Sequence, residues 1–231
     1  MELSNRLKTI ASFVTKGLCV ADIGTDHGYI PIDLVKSGKC PKAFAMDVGK
    51  EPLSRARQHI KEMDAQDQIT CILSDGLNQL PQTEVDSLVI AGMGGDLVVK
   101  ILENDLEKLK EIKEMILSPQ SHLEKVRHFL HDHGFLIAKE AMVKEDGKYY
   151  IIIRAIHGKE IYEKECFYYF GEKLLKNQDP ILLEYMDLQY QKYGEILKYL
   201  NDSEKEHIRQ RREEILTMCD YIREAFGYYE M

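Results

Sequence analysis

The stretch VADIGTDHGYIP, residues 20–31, decides how the rest of the chain is read. A short apolar run halts on Asp22 and Ile23, and Gly24 and Gly28 follow with Asp26 between them. This is the pattern of a buried strand that ends in an acid and turns tightly into a helix. Glycine in such a turn lets backbone N–H groups approach a ligand and lets the helix pack closely on the strand. A dinucleotide fold uses G-x-G-x-x-G and aims its helix N-terminus at a pyrophosphate. Here the middle glycine position is Asp26. A carboxylate there repels a pyrophosphate but tolerates a zwitterionic amino acid or a cationic sulfonium. The turn therefore favours S-adenosylmethionine over NAD.

Working outward, short apolar runs alternate with helical periodicity as far as about residue 156. Strands are predicted at 18–23, 42–47, 69–73, 87–92, 114–118, 135–143 and 149–155. Helices are predicted at 30–37, 50–63, 96–109 and 123–133, with a short, poor one at 77–79. A further helix, capped by Ser4, precedes the first strand. EDGK (145–148) is a hairpin turn signalled by Asp-Gly. The expected architecture is α/β: a mostly parallel sheet covered on both faces, with one antiparallel strand.

From about residue 159 the composition shifts. Ten of the thirteen tyrosines lie in 159–231, and the segment carries 11 basic against 16 acidic residues. Asp179-Pro180 starts a helix with Leu182, Met186, Gln189, Tyr193, Ile196 and Leu200 at coiled-coil spacing. Ser203 and Glu206 have the spacing of a capping box. A second helix places Ile208, Arg212, Ile215, Cys219, Ile222 and Phe226 in the same rhythm. The expected division is a catalytic domain over 1–158 and an antiparallel helical hairpin, a coiled coil, over 159–231.

A second acid ends strand two and a third follows strand three. Asp47 is placed to take two ribose hydroxyls, and Asp75, beside Gly76, to take an exocyclic amine of adenine. The fourth strand ends in AGMGGD (91–96), a side-chain-poor floor on which a planar base and a methyl donor can meet. The fifth ends in SPQSH (118–122), where Gln120 offers an amide suited to a Watson–Crick edge. Asp26 has a second reading, as the N-cap of the helix after the turn.

The 231 residues carry a formal charge of −8, which argues against binding nucleic acid by bulk charge. Local basic clusters exist at Arg6 and Lys8, at Arg55, Arg57 and Lys61, and at Arg209, Arg211 and Arg212. Five separated cysteines with no Cys-x-x-Cys or Cys/His cluster argue against a metal site or a disulfide framework and for a reducing cytoplasm. No stretch has the length and apolarity of a membrane span, and the N-terminus does not read as a signal peptide.

DIGTDHGYIP, AGMGGD, SPQSH, EDGKYY and the LSNRLKTIA opening together resemble the bacterial tRNA adenine-22 ring-nitrogen-1 methyltransferases, the TrmK family. The resemblance spans nearly the whole chain. It implies a class I Rossmann-like methyltransferase sheet of seven strands in the order 3-2-1-4-5-7-6, S-adenosyl-L-methionine as donor and tRNA as acceptor. Carried over, the cofactor residues are Asp22, Gly24, Gly28, Asp47, Asp75, Gly76 and Gly92. The catalytic set is Asp26, Tyr29, Gly92, Met93 and Gly94, with Gly95 completing the floor. The substrate set is Arg6, Lys8, His27 and Gln120. No metal and no obligate protein partner are expected. An NAD(P)-dependent oxidoreductase and a methyltransferase of another RNA are the competing readings.

Overall fold

The computed structural model describes residues 3–200 and 206–230. Contacts divide the chain into two compact units, one running to Glu160 and the other starting at Ile161.

The first unit opens with α1 (Asn5–Phe13), whose Ser4 side chain accepts a hydrogen bond from the Leu7 amide. β1 (Val20–Ile23), α2 (Tyr29–Lys36), β2 (Ala43–Asp47), α3 (Lys50–Glu62), β3 (Ile69–Leu73) and β4 (Ser87–Ala91) follow. Then come α4 (Gly95–Glu103), α5 (Leu106–Leu109), β5 (Glu114–Ser118), α6 (Leu123–Asp132), β6 (Phe135–Glu145) and β7 (Lys148–His157). The sheet order is β3-β2-β1-β4-β5-β7-β6, with β7 antiparallel to its neighbours. Parallel strands buried on both faces read as continuous apolar runs, and β4 and β5 are of this kind.

The chain departs from the sequence reading at several points. Residues 77–79 form a turn, not a helix, and Leu77 alone of the three is buried there. The long helix over 96–109 is two, because Asn104 and Asp105 intervene and Asp105 leaves helical geometry. The hairpin strands run further than predicted, to Glu145 and from Lys148.

Two buried ionic groups fix the antiparallel edge. Glu114, fully covered in the sheet, accepts from the Thr15 amide (2.8 Å) and hydroxyl (2.7 Å), Ser87 Oγ (3.1 Å) and Arg154 Nε (2.7 Å). Arg127 of α6 meets Glu140 of β6 with Nε and a terminal nitrogen at 2.9 and 2.8 Å, both side chains out of solvent. Buried charges are tolerated only when paired and hydrogen-bonded in this way.

The second unit contains α7 (Glu165–Phe170) and α8 (Glu172–Lys176), neither marked by the sequence pattern, then α9 (Pro180–Tyr199) and α10 (Glu206–Phe226). Asp179 caps α9 by accepting from the Ile181 and Leu182 amides. Leu182 and Met186 of α9 and Ile215, Cys219 and Ile222 of α10 are buried, as is Ala225, whereas Phe226 is only half-buried. Ser203 of the suggested capping box lies outside the described residues.

One close approach depends on a missing side chain. A Cβ on Gly95, at the start of α4, would stand 2.4 Å from the Ser121 carbonyl oxygen and 2.6 Å from that of His122. Both are backbone atoms and cannot swing aside. Gly95→Ala is expected to lower stability by about 1–3 kcal/mol, through backbone displacement. Gly134→Ala has open space around the new methyl, at a φ of +78°, and should cost about 1 kcal/mol. Denaturant titration of the two variants checks the ranking, and a costlier Gly134 change would contradict it.

Candidate active site

The loops that follow the parallel strands are tied to one another. The Gly24 and Thr25 amides both donate to the Met46 carbonyl at the end of β2, at 2.7 and 3.0 Å. The Ser74 amide donates to the Asp47 carbonyl (2.9 Å), and the Gly92 amide to that of Ser118 (3.2 Å). The Gln120 amide donates to the Met93 carbonyl at 2.8 Å. Strand-end residues far apart in sequence are thus held along one rim, the place where open α/β sheets bind ligands.

A cleft of about 260 Å³ opens there. Its lining includes Arg6, Asp22, Gly24, Asp26, His27, Gly28, Tyr29 and Gly92. Gly24, Gly28 and Gly92 have φ of +79°, +69° and +82°, so each turn uses a conformation that side chains resist. Gly24 is also crowded: a Cβ on it would stand 2.0 Å from Met93 Cε. The glycine of the first turn is therefore roofed by the methionine of the fourth.

Asp22 is 6% exposed, and its pKa is pushed up from 3.8 to about 6. Burial is the main cause; the Thr25 hydroxyl opposes the shift and the Asp47 charge adds to it. No cation figures among these influences. Asp47 is half-buried, and its Oδ1 accepts from the Gly49 amide at 2.6 Å, which leaves the second oxygen for a ligand. Asp75 is exposed, and the adjacent Gly76 has a φ of +54° with Ile101 beneath it.

Asp26 is 57% exposed, paired with Arg55 of α3 and with His27 Nε2 at 3.2 Å. It does not cap α2, whose N-cap is Gly28 with no side-chain hydrogen bond. The capping alternative for Asp26 is thereby corrected: the turn delivers the helix through a left-handed glycine and frees the carboxylate to face Arg55. His27, Tyr29 and His59 form a near-parallel group with ring centroids 5.0, 5.2 and 5.4 Å apart. His59 Nδ1 lies 3.1 Å from the His27 carbonyl, so α3 supports the turn from below. Sequence reasoning does not select Arg55 or His59 for the site, since nothing local marks a partner some thirty residues away.

Arg6, expected as a phosphate contact, lines the cleft. It is half-buried, its guanidinium lies 4.7 Å from the Tyr150 ring centre, and a terminal nitrogen would stand 3.5 Å from a Cβ on Gly92. Gln120 Nε2 would stand 4.0 Å from the same Cβ. Arg6 Nε and His27 Nδ1 are buried without a hydrogen-bond partner, which marks polar positions suited to a ligand. Lys8 is exposed on the same helix, and a Cβ on Gly94 would stand 3.1 Å from Ser121 Oγ.

A methyltransferase-domain family matches residues 3–153. The tRNA (adenine(22)-N(1))-methyltransferase of Bacillus subtilis is 27% identical over 99% of this chain and 98% of its own length. A Streptococcus pneumoniae protein crystallised with S-adenosyl-L-methionine is 32% identical, with a TM-score of 0.84 over 97% of this chain and 99% of that one. The TrmK protein of M. capricolum, solved with S-adenosyl-homocysteine, is 29% identical, with a TM-score of 0.87 over 99% of both chains. The chain belongs to the TrmK family of methyltransferases. Within it, the D-x-G-x-x-x-G turn and the GMGG turn are the two segments that meet, through Met93 and Gly24, in the TrmK cleft described above. Among the described residues no cluster of His, Cys, Asp and Glu could hold a metal ion. All five cysteines are free thiols, with Cys40 and Cys166 pushed up to about 12 by burial.

The raised Asp22 pKa has a signed consequence. Its ionisation is opposed in the folded protein, so the stability present when it is protonated is lost as pH rises through about 6. Asp22→Asn mimics the protonated form. It should stabilise the ligand-free protein at pH 8 by on the order of 3 kcal/mol and change little at pH 4. Urea midpoints at the two pH values check this; a pH-independent difference would contradict it.

Proposed function

We propose that this protein transfers a methyl group from S-adenosyl-L-methionine to ring nitrogen 1 of adenine 22 in tRNA. The observation that carries the reading is a buried, cation-free carboxylate, Asp22, beneath a glycine-lined cleft, in a chain matched end to end by an enzyme of that name. The donor fits these residues. Backbone at Gly24 and Gly28 is open to the amino-acid portion, Asp22 offers a negative field, and Asp47 retains an oxygen for a ribose diol. Asp75 and Gly76 take the adenine end. The same negative lining disfavours the pyrophosphate of NAD(P), the competing cofactor.

The bound donor supplies an electrophilic methyl on a cationic sulfur. Ring nitrogen 1 of neutral adenine has an in-plane lone pair, so no residue must first remove a proton. The chain's task is alignment, which in favourable cases is worth about 7–11 kcal/mol. Gly92, Met93 and Gly94 form the floor on which the base lies, and Gln120 and Arg6 border it. His27 and Tyr29 provide a ring face for the base. The methylated adenine is cationic, and Asp26 offers an exposed carboxylate at the cleft to stabilise that charge, moderated by its pairing with Arg55.

The reacting edge of the base is the pairing edge, so the adenine must leave its stack, at a cost of a few kcal/mol. Lys8 and Arg6 lie where RNA would approach. A tRNA substrate and uniformly free thiols support a cytoplasmic location. No helix among the described residues is long and apolar enough to cross a membrane.

Incubation with unmodified tRNA transcript and labelled donor, followed by nucleoside mapping, should yield 1-methyladenosine at position 22; label on another base or none would refute the assignment. Asp47→Ala should weaken S-adenosyl-L-methionine binding by at least tenfold in calorimetry without loss of the unfolding transition. Unchanged affinity would remove Asp47 from the cofactor site.

A further inference from the structure

The β6–β7 hairpin projects beyond the sheet on the side of the cleft. β5 pairs with β7 from Glu114↔Ile156 to Leu117↔Ile153, and β7 continues back to Lys148 without a β5 partner. Four residues of β7, Lys148 to Ile151, therefore extend past Ser118 at the carboxyl end of β5, by roughly 14 Å at strand rise. The overhang is attached to the site. Arg6 donates its amide to Glu145 (3.3 Å), and its guanidinium stacks on Tyr150 while reaching toward Gly92. On the opposite face, Lys144 pairs in register with Tyr149 and holds its ammonium 5.4 Å from that ring's centre. Lys148, at the turn, is exposed.

We propose that this overhang is an RNA-docking lip, holding the tRNA segment next to the target adenine. The inference rests on the tRNA reading above and extends it to residues outside the cofactor cleft. Charge supports the occupant. Over α1 and the hairpin tip (144–150) four basic residues, Arg6, Lys8, Lys144 and Lys148, stand against two acidic ones, Glu145 and Asp146, on a chain of net charge −8. Tyrosine rings beside lysines suit a strand with unstacked bases, because phosphates meet the cations while bases stack on rings. Glu145 is engaged by α1, which limits its repulsion of a phosphate. Continuity supports the place: Arg6 joins Tyr150 of the lip to Gly92 of the floor, so Tyr150 acts as a positioning residue for Arg6.

The test uses the full chain and an unmodified tRNA transcript. Lys144→Ala/Lys148→Ala should weaken tRNA binding about tenfold at physiological salt and reduce the slope of log affinity against log salt by about 1–2. Binding of S-adenosyl-homocysteine and the unfolding midpoint should stay at parent values. Lys148→Glu alone, at an exposed position, should also weaken tRNA binding with cofactor affinity retained. Parent-like tRNA affinity and salt slope in both variants would overturn the lip while leaving the methyltransferase reading intact. A parent protein that binds no tRNA would overturn both. Loss of cofactor affinity alongside tRNA affinity in both variants would assign the lysines to the fold and also overturn the proposal.

Discussion

The arrangement turns on a carboxylate kept where it is costly. Asp22 ends a central strand, almost wholly out of solvent, and its pKa of about 6 reflects that burial. An apolar residue at the end of β1 would pack without penalty. Retaining an acid with no cation against it makes sense where a cationic ligand completes the pairing, since a buried charge is otherwise unfavourable by several kcal/mol. Other parts of the rim serve this notch. The Met46 carbonyl holds two amides of the first turn, and the Ser118 carbonyl holds the fourth. Met93 covers Gly24.

That geometry separates two tasks. On the proposed reading the cofactor side is built from backbone and acids, with three turns in left-handed conformations that only glycine adopts readily. On the same reading the substrate side is built from rings and cations: the His27, Tyr29 and His59 group, and Arg6 with Tyr150. A cationic donor and a polyanionic acceptor need opposite fields a short distance apart. An acidic chain can provide both because screening confines each field to about 8–10 Å.

Much of this is legible in the sequence where one segment carries the whole signal. Fully buried parallel strands appear as apolar runs, and the Asp-Gly turn marks the hairpin. The acids Asp22, Asp47 and Asp75 announce themselves by standing at or just beyond strand ends. What escapes depends on partners distant in the chain. Asp26 reads equally as a catalytic carboxylate and as a helix cap until α3 brings Arg55 to it. His59 reads as one more residue on a polar helix, yet its ring joins those of His27 and Tyr29. Arg6 reads as a substrate contact, but its partner Tyr150 lies more than a hundred residues away and nothing local marks the pair. The interruption at Asn104 and Asp105 is masked by apolar residues on both sides, and Gly171 separates two short helices whose periodicity is too brief to register.

The central claim is that the Asp22 carboxylate and a cationic donor stabilise one another. Calorimetry of S-adenosyl-L-methionine binding at pH 6, in two buffers of different ionisation enthalpy, measures the proton exchanged on binding. The account predicts that a fraction of a proton is released, as the donor draws Asp22 into its ionised form, and that Asp22→Asn releases less. Identical enthalpies in the two buffers for the unaltered protein, with full binding, would contradict it.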